Sequence, residues 1–159
     1  MAVNRGKKFE AKVKEDWKRC FPKSFIYRLP DQISGYLTTS QNPCDFIGFT
    51  NKMLFLMECK STNQNTLNFA KIRQYDRLVS YIGTEDTYPG VLVWFEKQDK
   101  VMWFPAEELQ RIREDGHKSI NANMVDEYKV VDIPSVKKRV FLNTDYTYLV
   151  KALKEMQNG

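Results

Sequence analysis

Residues 53–60, MLFLMECK, constrain the fold of this chain more than any other stretch. The first five are apolar without a break, the pattern of a strand covered on both faces. The run then ends in Glu58-Cys59-Lys60. Strand side chains alternate between faces, so Glu58 and Lys60 share one face and Cys59 takes the other. An acid and a base side by side at the end of a buried strand need a physical reason. One reading is a plain salt bridge. The other is chemistry.

The flanking segments predict a mixed β-sheet flanked by helices. Residues 4–20 read as a helix, with Asn4 as N-cap, a stripe of Phe9, Val13 and Trp17, and Pro22 as the stop. Residues 24–29 alternate like a short strand, and residues 44–49 read as a second one. Thr50-Asn51-Lys52 is a polar turn that joins 44–49 to 53–60 as a hairpin. Residues 68–82 read as one helix with Ile72, Tyr75, Val79 and Ile82 on one face and Gly83 beyond its end. Strands follow at 90–95 and 101–104, where Trp94 and Trp103 are expected in the core. A short helix follows at 105–113. Residues 114–143 look irregular, with short strands at 130–133 and 140–142, and a helix covers 145–156. No repeat or long linker interrupts the 159 residues, so one domain is expected.

Charge is unevenly placed. Residues 1–30 hold nine Lys/Arg and three acids, whereas the other 129 residues sum to −1. A basic leading segment on a near-neutral body suits a polyanion such as nucleic acid, and equally suits a solvated basic helix. The start, MAVNRGKKFE, is charged and leads into no apolar segment, and no apolar run approaches the roughly 20 residues of a membrane span. The expectation is a cytoplasmic protein with no membrane partner. Cys20, Cys44 and Cys59 match no zinc spacing and, being three, cannot all pair, so reduced thiols are expected. His117, the one histidine, is expected in solvent.

The chemical reading of the strand end is phosphodiester hydrolysis. Asp45, on the preceding strand, can approach Glu58. Two carboxylates held close repel unless a cation lies between them. A hard divalent ion such as Mg²⁺ accepts one or two carboxylates together with phosphate and water, and the Cys59 main-chain carbonyl could add another oxygen. Lys60 would then orient or deprotonate a water and offset charge developing on the phosphate.

Asp45, twelve intervening residues, Glu58, one residue and Lys60 resemble the PD-(D/E)XK nuclease motif, with Pro43 two residues before the aspartate rather than one. Asn4-Arg5-Gly6 with Phe9-Glu10 resembles the start of RecU-type Holliday junction resolvases. So do Glu58-Cys59-Lys60-Ser61-Thr62, residues 67–78 with Gln74, residues 91–104 and the terminal helix beginning Asp145-Tyr146. The resemblance covers most of the chain. It implies a restriction-endonuclease-like core with a projecting arm at residues 31–43, which carries no Lys or Arg here. It implies a homodimer that binds four-way DNA junctions and cuts two opposed strands with Mg²⁺ or Mn²⁺, without an organic cofactor. It places Glu10 near the metal or its water, and Gln74 beside the site.

Arg5, Lys7, Lys8 and Arg28 are the expected phosphate contacts, with Lys71 and Arg73 next. Tyr36 and Leu37 lie in the arm, where exposure is costly without a partner such as DNA bases or a second protomer. Competing with junction resolution are a nuclease of the same fold acting on other DNA, as in restriction or repair, and a DNA-binding module without catalysis. The complete acid–acid–lysine set argues against the last, because binding alone gains nothing from carboxylates beside phosphate.

Overall fold

The computed structural model describes residues 5–30, 42–139 and 141–158. Residues 31–41, where an arm with Tyr36 and Leu37 is expected, lie outside them, as does Asn4. Helix α1 (Arg5–Cys20) leads into strand β1 (Phe25–Arg28). Further along come β2 (Phe46–Thr50), β3 (Met53–Thr62) and a short β4 (Thr66–Asn68). Helix α2 (Tyr75–Ser80), β5 (Thr87–Phe95), β6 (Lys100–Pro105) and α3 (Ala106–Glu114) follow. The chain ends with β7 (Ser119–Asn121), β8 (Val131–Ile133), β9 (Ser135–Lys138), β10 (Phe141–Thr144) and α4 (Tyr146–Asn158).

The main sheet runs β1-β2-β3-β5-β6-β8. Only β3 and β5 are parallel; the other neighbours are antiparallel. The mixed sheet flanked by helices is thus what the hydrophobic pattern predicts. A parallel neighbour requires a crossover, here the stretch that carries β4 and α2. The apolar run of β3 is covered on both faces. Phe55, Met57 and Cys59 belong to one core with Phe9, Val13 and Trp17 of α1 and Tyr146 and Leu149 of α4. Leu56 belongs to the other, with Leu78 of α2 and Leu109 and Ile112 of α3. Trp94 and Trp103 are buried as expected, and His117 is exposed.

Trp17 is the pivot of the first core. Its ring lies edge-on to Phe21 at 4.9 Å and to Phe55 at 5.2 Å, contacts worth about 0.5–1.5 kcal/mol each beyond area burial. Gly48 of β2 lets it close: a Cβ there would stand 3.0 Å from the indole. Asp16 is also buried. Its carboxylate accepts from Lys12, Arg19 and the Thr144 N–H, and so ties α1 to β10.

The expected helix over 68–82 is broken. Leu67 pairs with Ile120 in the β4–β7 ladder, and the Asn68 carboxamide accepts from the Ala70 N–H at 2.8 Å to cap one 3₁₀ turn, Phe69–Lys71. Ile72 leaves helical geometry at ψ 78°, so only Tyr75–Ser80 is α-helical. The fully buried residue of that helix is Leu78, not the expected stripe. An Asn side chain that competes for main-chain donors, plus a sheet partner far away in sequence, outweighs helical periodicity. The region read as irregular forms a 3₁₀ turn, β7, β8 and the β9–β10 hairpin.

Candidate active site

β2 and β3 form the expected hairpin, with Phe46 opposite Met57 and Thr50 opposite Met53. Asp45 precedes the first paired residue of β2, but its main chain stays tied on both sides. Its N–H donates to the Met57 carbonyl at 2.9 Å, and its carbonyl accepts from the Leu29 N–H at 2.8 Å. With the backbone fixed, Asp45 Oδ2 accepts from the Cys59 N–H at 2.8 Å. The carboxylate is therefore held against the strand that carries Glu58 and Lys60.

Glu58 is buried at 3% exposure. Lys60 Nζ stands 3.5 Å from its Oε1. Its Oε2 is buried with no hydrogen-bond partner. Burial, and then the Asp45 charge, push the Glu58 pKa up to about 7, against the pull of Lys60 and the Gln74 main-chain N–H. Burial also raises Asp45; the Cys59 N–H opposes this, Glu10 adds to it, and Lys60 and Arg28 pull it down. Both carboxylates thus resist ionising side by side, the electrostatic state that an added cation relieves.

Asp45, Glu58 and Lys60 come together, and Glu10 acts on Asp45 from α1. Arg28 Nε holds Glu10 Oε2 at 2.9 Å, and its guanidinium also donates to the Leu29 carbonyl at 2.7 Å. An open groove of about 400 Å³ beside this pair is lined by Lys7, Glu10, Ala11, Lys14, Arg28 and Phe46. Gln74 caps α2 without a side-chain bond, and its Oε1 is buried and unpartnered. Arg73, next to it, and Lys71 are exposed. Arg5 and Lys8 are exposed at the start of α1, where Arg5 pairs with Glu96 at 2.7 Å.

Cys59 contributes something the sequence reading did not assign. Its main-chain N–H orients Asp45, while its side chain is buried in the α1 core. The alternation of β3 signals the second of these; only the hairpin geometry reveals the first. The three thiols are free, as expected.

The donor set suits a hard cation with open coordination positions. Among the described residues no three His, Cys, Asp or Glu side chains gather where they could hold a metal ion together, so protein ligands beyond two carboxylates would have to be main-chain or amide oxygens. Two carboxylates, one of them with an orphaned oxygen, and the orphaned Gln74 amide oxygen leave room for water and phosphate, the mode in which Mg²⁺ is usually held. No helix of the described residues is long and apolar enough to cross a membrane.

Residues 17–152 match the family model described as RecU, Recombination protein U. Among solved structures, the chain is similar to Hjc of Archaeoglobus fulgidus, a Holliday junction resolvase, with a TM-score of 0.54 and 19% identity. That match covers 77% of this chain and 93% of the archaeal one, and at this identity it speaks to the fold. No curated protein matches the chain.

Proposed function

Because the chain belongs to the RecU family of recombination proteins, we propose that Asp45, Glu58 and Lys60 are the hydrolytic centre of an endonuclease that resolves four-way DNA junctions. The observation that carries this reading is the buried, partnerless Oε2 of Glu58 beside a second carboxylate. An orphaned buried oxygen beside a second carboxylate is an arrangement that a bound cation completes.

The family carries a divalent-metal requirement; Mg²⁺, with Mn²⁺ as substitute, is the ion this oxygen donor set suits. Asp45, Glu58 and the Cys59 carbonyl would hold it, and when bound it supplies Lewis-acid polarisation of the scissile phosphate. The Cys59 N–H keeps the Asp45 carboxylate in place before substrate arrives. Lys60 donates hydrogen bonds toward the attacking water and the phosphate oxygens, offsetting charge as the phosphorus centre crowds. Arg28 fixes Glu10, whose carboxylate adds negative charge beside Asp45 and orients water on the α1 side. Gln74 closes the opposite side, its main-chain N–H against Glu58 and its amide oxygen free to accept. Arg5, Lys7, Lys8, Lys71 and Arg73 meet phosphates around the site.

A four-way junction has two-fold symmetry, so paired cuts on opposed strands call for two copies of one site, hence a homodimer. The arm over 31–43, with Tyr36, would enter the opened junction. The deciding experiment is cleavage of a synthetic four-way junction by wild type and Asp45→Asn, with and without Mg²⁺. Wild type should cut only with metal and Asp45→Asn should not cut. Equal cutting of linear duplex would end the junction assignment in favour of a nuclease of the same fold with another DNA substrate. No cutting of any DNA would leave a binding module.

A further inference from the structure

The β9–β10 hairpin has no part in the site above. Lys137, Lys138 and Arg139 are consecutive at its outer end, and residues 135–144 contain no acid. All three are exposed. Lys137 pairs with Asp99 at 3.0 Å, while among the described residues Lys138 and Arg139 have no carboxylate partner.

The turn is built against local preference. Lys138 pairs with Phe141, so two residues separate the paired ends of the hairpin. Two-residue hairpin loops favour Asn-Gly, Asp-Gly or Gly-Gly, which adopt positive φ at little cost. Arg139 instead sits at φ 55°. A Cβ-bearing residue there is strained, and arginine is not among the residues that favour such turns. Strain of this kind collects where a side chain is put to use.

The mount is firm. The Phe141 ring lies 5.5 Å from that of Trp94, which lies 5.8 Å from Phe9. Asn143 and Thr144 are bonded to Lys12 and to buried Asp16 of α1. Trp94 is the register partner of Ser61, the residue after Lys60. The hairpin turn, the basic start of α1 and the catalytic end of β3 thus lie at one end of the sheet.

We propose that the β9–β10 hairpin is a second phosphate-gripping element, with Lys138 and Arg139 binding the backbone of the duplex arm that flanks the scissile phosphate. This rests on the DNA-processing reading above and adds a contact surface outside the catalytic centre. Phosphate contacts give affinity and orientation without base readout, and each one adds about 0.9 to the slope of log K against log salt.

The test is binding of a synthetic four-way junction in metal-free buffer by wild type and by Lys138→Ala/Arg139→Gly. The double variant should bind about tenfold more weakly, and its salt slope should fall by about 1.8. Glycine relieves the turn, so the melting temperature should hold or rise, which separates lost contact from lost fold. Cleavage at saturating enzyme with divalent metal should be unchanged. Unaltered affinity, or weaker binding with an unaltered salt slope, overturns the proposal. If wild type binds the junction and never cuts, the catalytic reading fails while the hairpin is still judged by its slope.

Discussion

Lys60 Nζ and Glu58 Oε1 stand 3.5 Å apart, two residues along one strand, and this pairing leaves the other carboxylate oxygen of Glu58 buried and unmatched. An orphaned buried acceptor costs about 1–3 kcal/mol, a cost the Lys60 pairing alone does not relieve. Half-satisfaction is what a ligand site looks like before its ligand arrives.

The raised pKa of Glu58 has a thermodynamic consequence in metal-free protein. Its ordinary value is 4.5 and its folded value about 7. Between these the folded state holds a proton that the unfolded chain has released, so this contribution to stability is complete below pH 4.5 and is lost as pH rises through 7. Thermal melts in chelator should show wild type losing stability across this window relative to Glu58→Gln, which cannot titrate. Added Mg²⁺ should recover the loss most strongly above pH 7. Parallel pH profiles for the two proteins would show that Glu58 does not titrate in this way.

For Lys60, the catalytic and structural readings separate on one variant. Lys60→Ala removes the ammonium but leaves an exposed-side strand end that tolerates alanine, since the lysine is 28% exposed. Junction cleavage should fall by about 10²-fold or more, the scale of losing one preorganised charge stabiliser. Junction affinity should remain near wild type. A large drop in melting temperature with cleavage merely reduced would instead mark the pair as a structural ion pair.

Much of this site is legible in local sequence because it depends on strand alternation. The apolar start of the 53–60 run and its charged finish place Glu58 and Lys60 on one face, and the Thr50–Met53 turn brings Asp45 back alongside. The Phe9, Val13 and Trp17 stripe likewise announces the buried face of α1. What stays hidden depends on partners distant in the chain. Asp16 reads as a surface acid until Thr144, 128 residues on, supplies its donor. The helix expected at 68–82 breaks because Leu67 finds Ile120. Arg28 reads as a phosphate contact and Glu10 as a neighbour of the metal, and only the α1–β1 packing joins the two to each other. That junction commits Arg28 to Glu10 before any phosphate is present.

The catalytic strand also depends on a glycine beside it. Gly90 of β5 lies between Met57 of β3 and Pro105 of β6. A Cβ at this position would stand 2.5 Å from the Trp103 ring and 2.7 Å from the Phe104 carbonyl oxygen. The ring is fully buried and the carbonyl is main chain, so neither can swing aside. Gly90→Ala must therefore spread β5 from β6, at a cost of about 1–3 kcal/mol, typical of forcing atoms into a packed core. Because β5 is also the parallel partner of Glu58 and Lys60, through Val91 and Val93, the shift reaches the site. The variant should melt lower than wild type and lose cleavage in excess of its unfolded fraction at the assay temperature. Cleavage that tracks the folded fraction alone would show that the sheet absorbs the strain before it reaches Glu58.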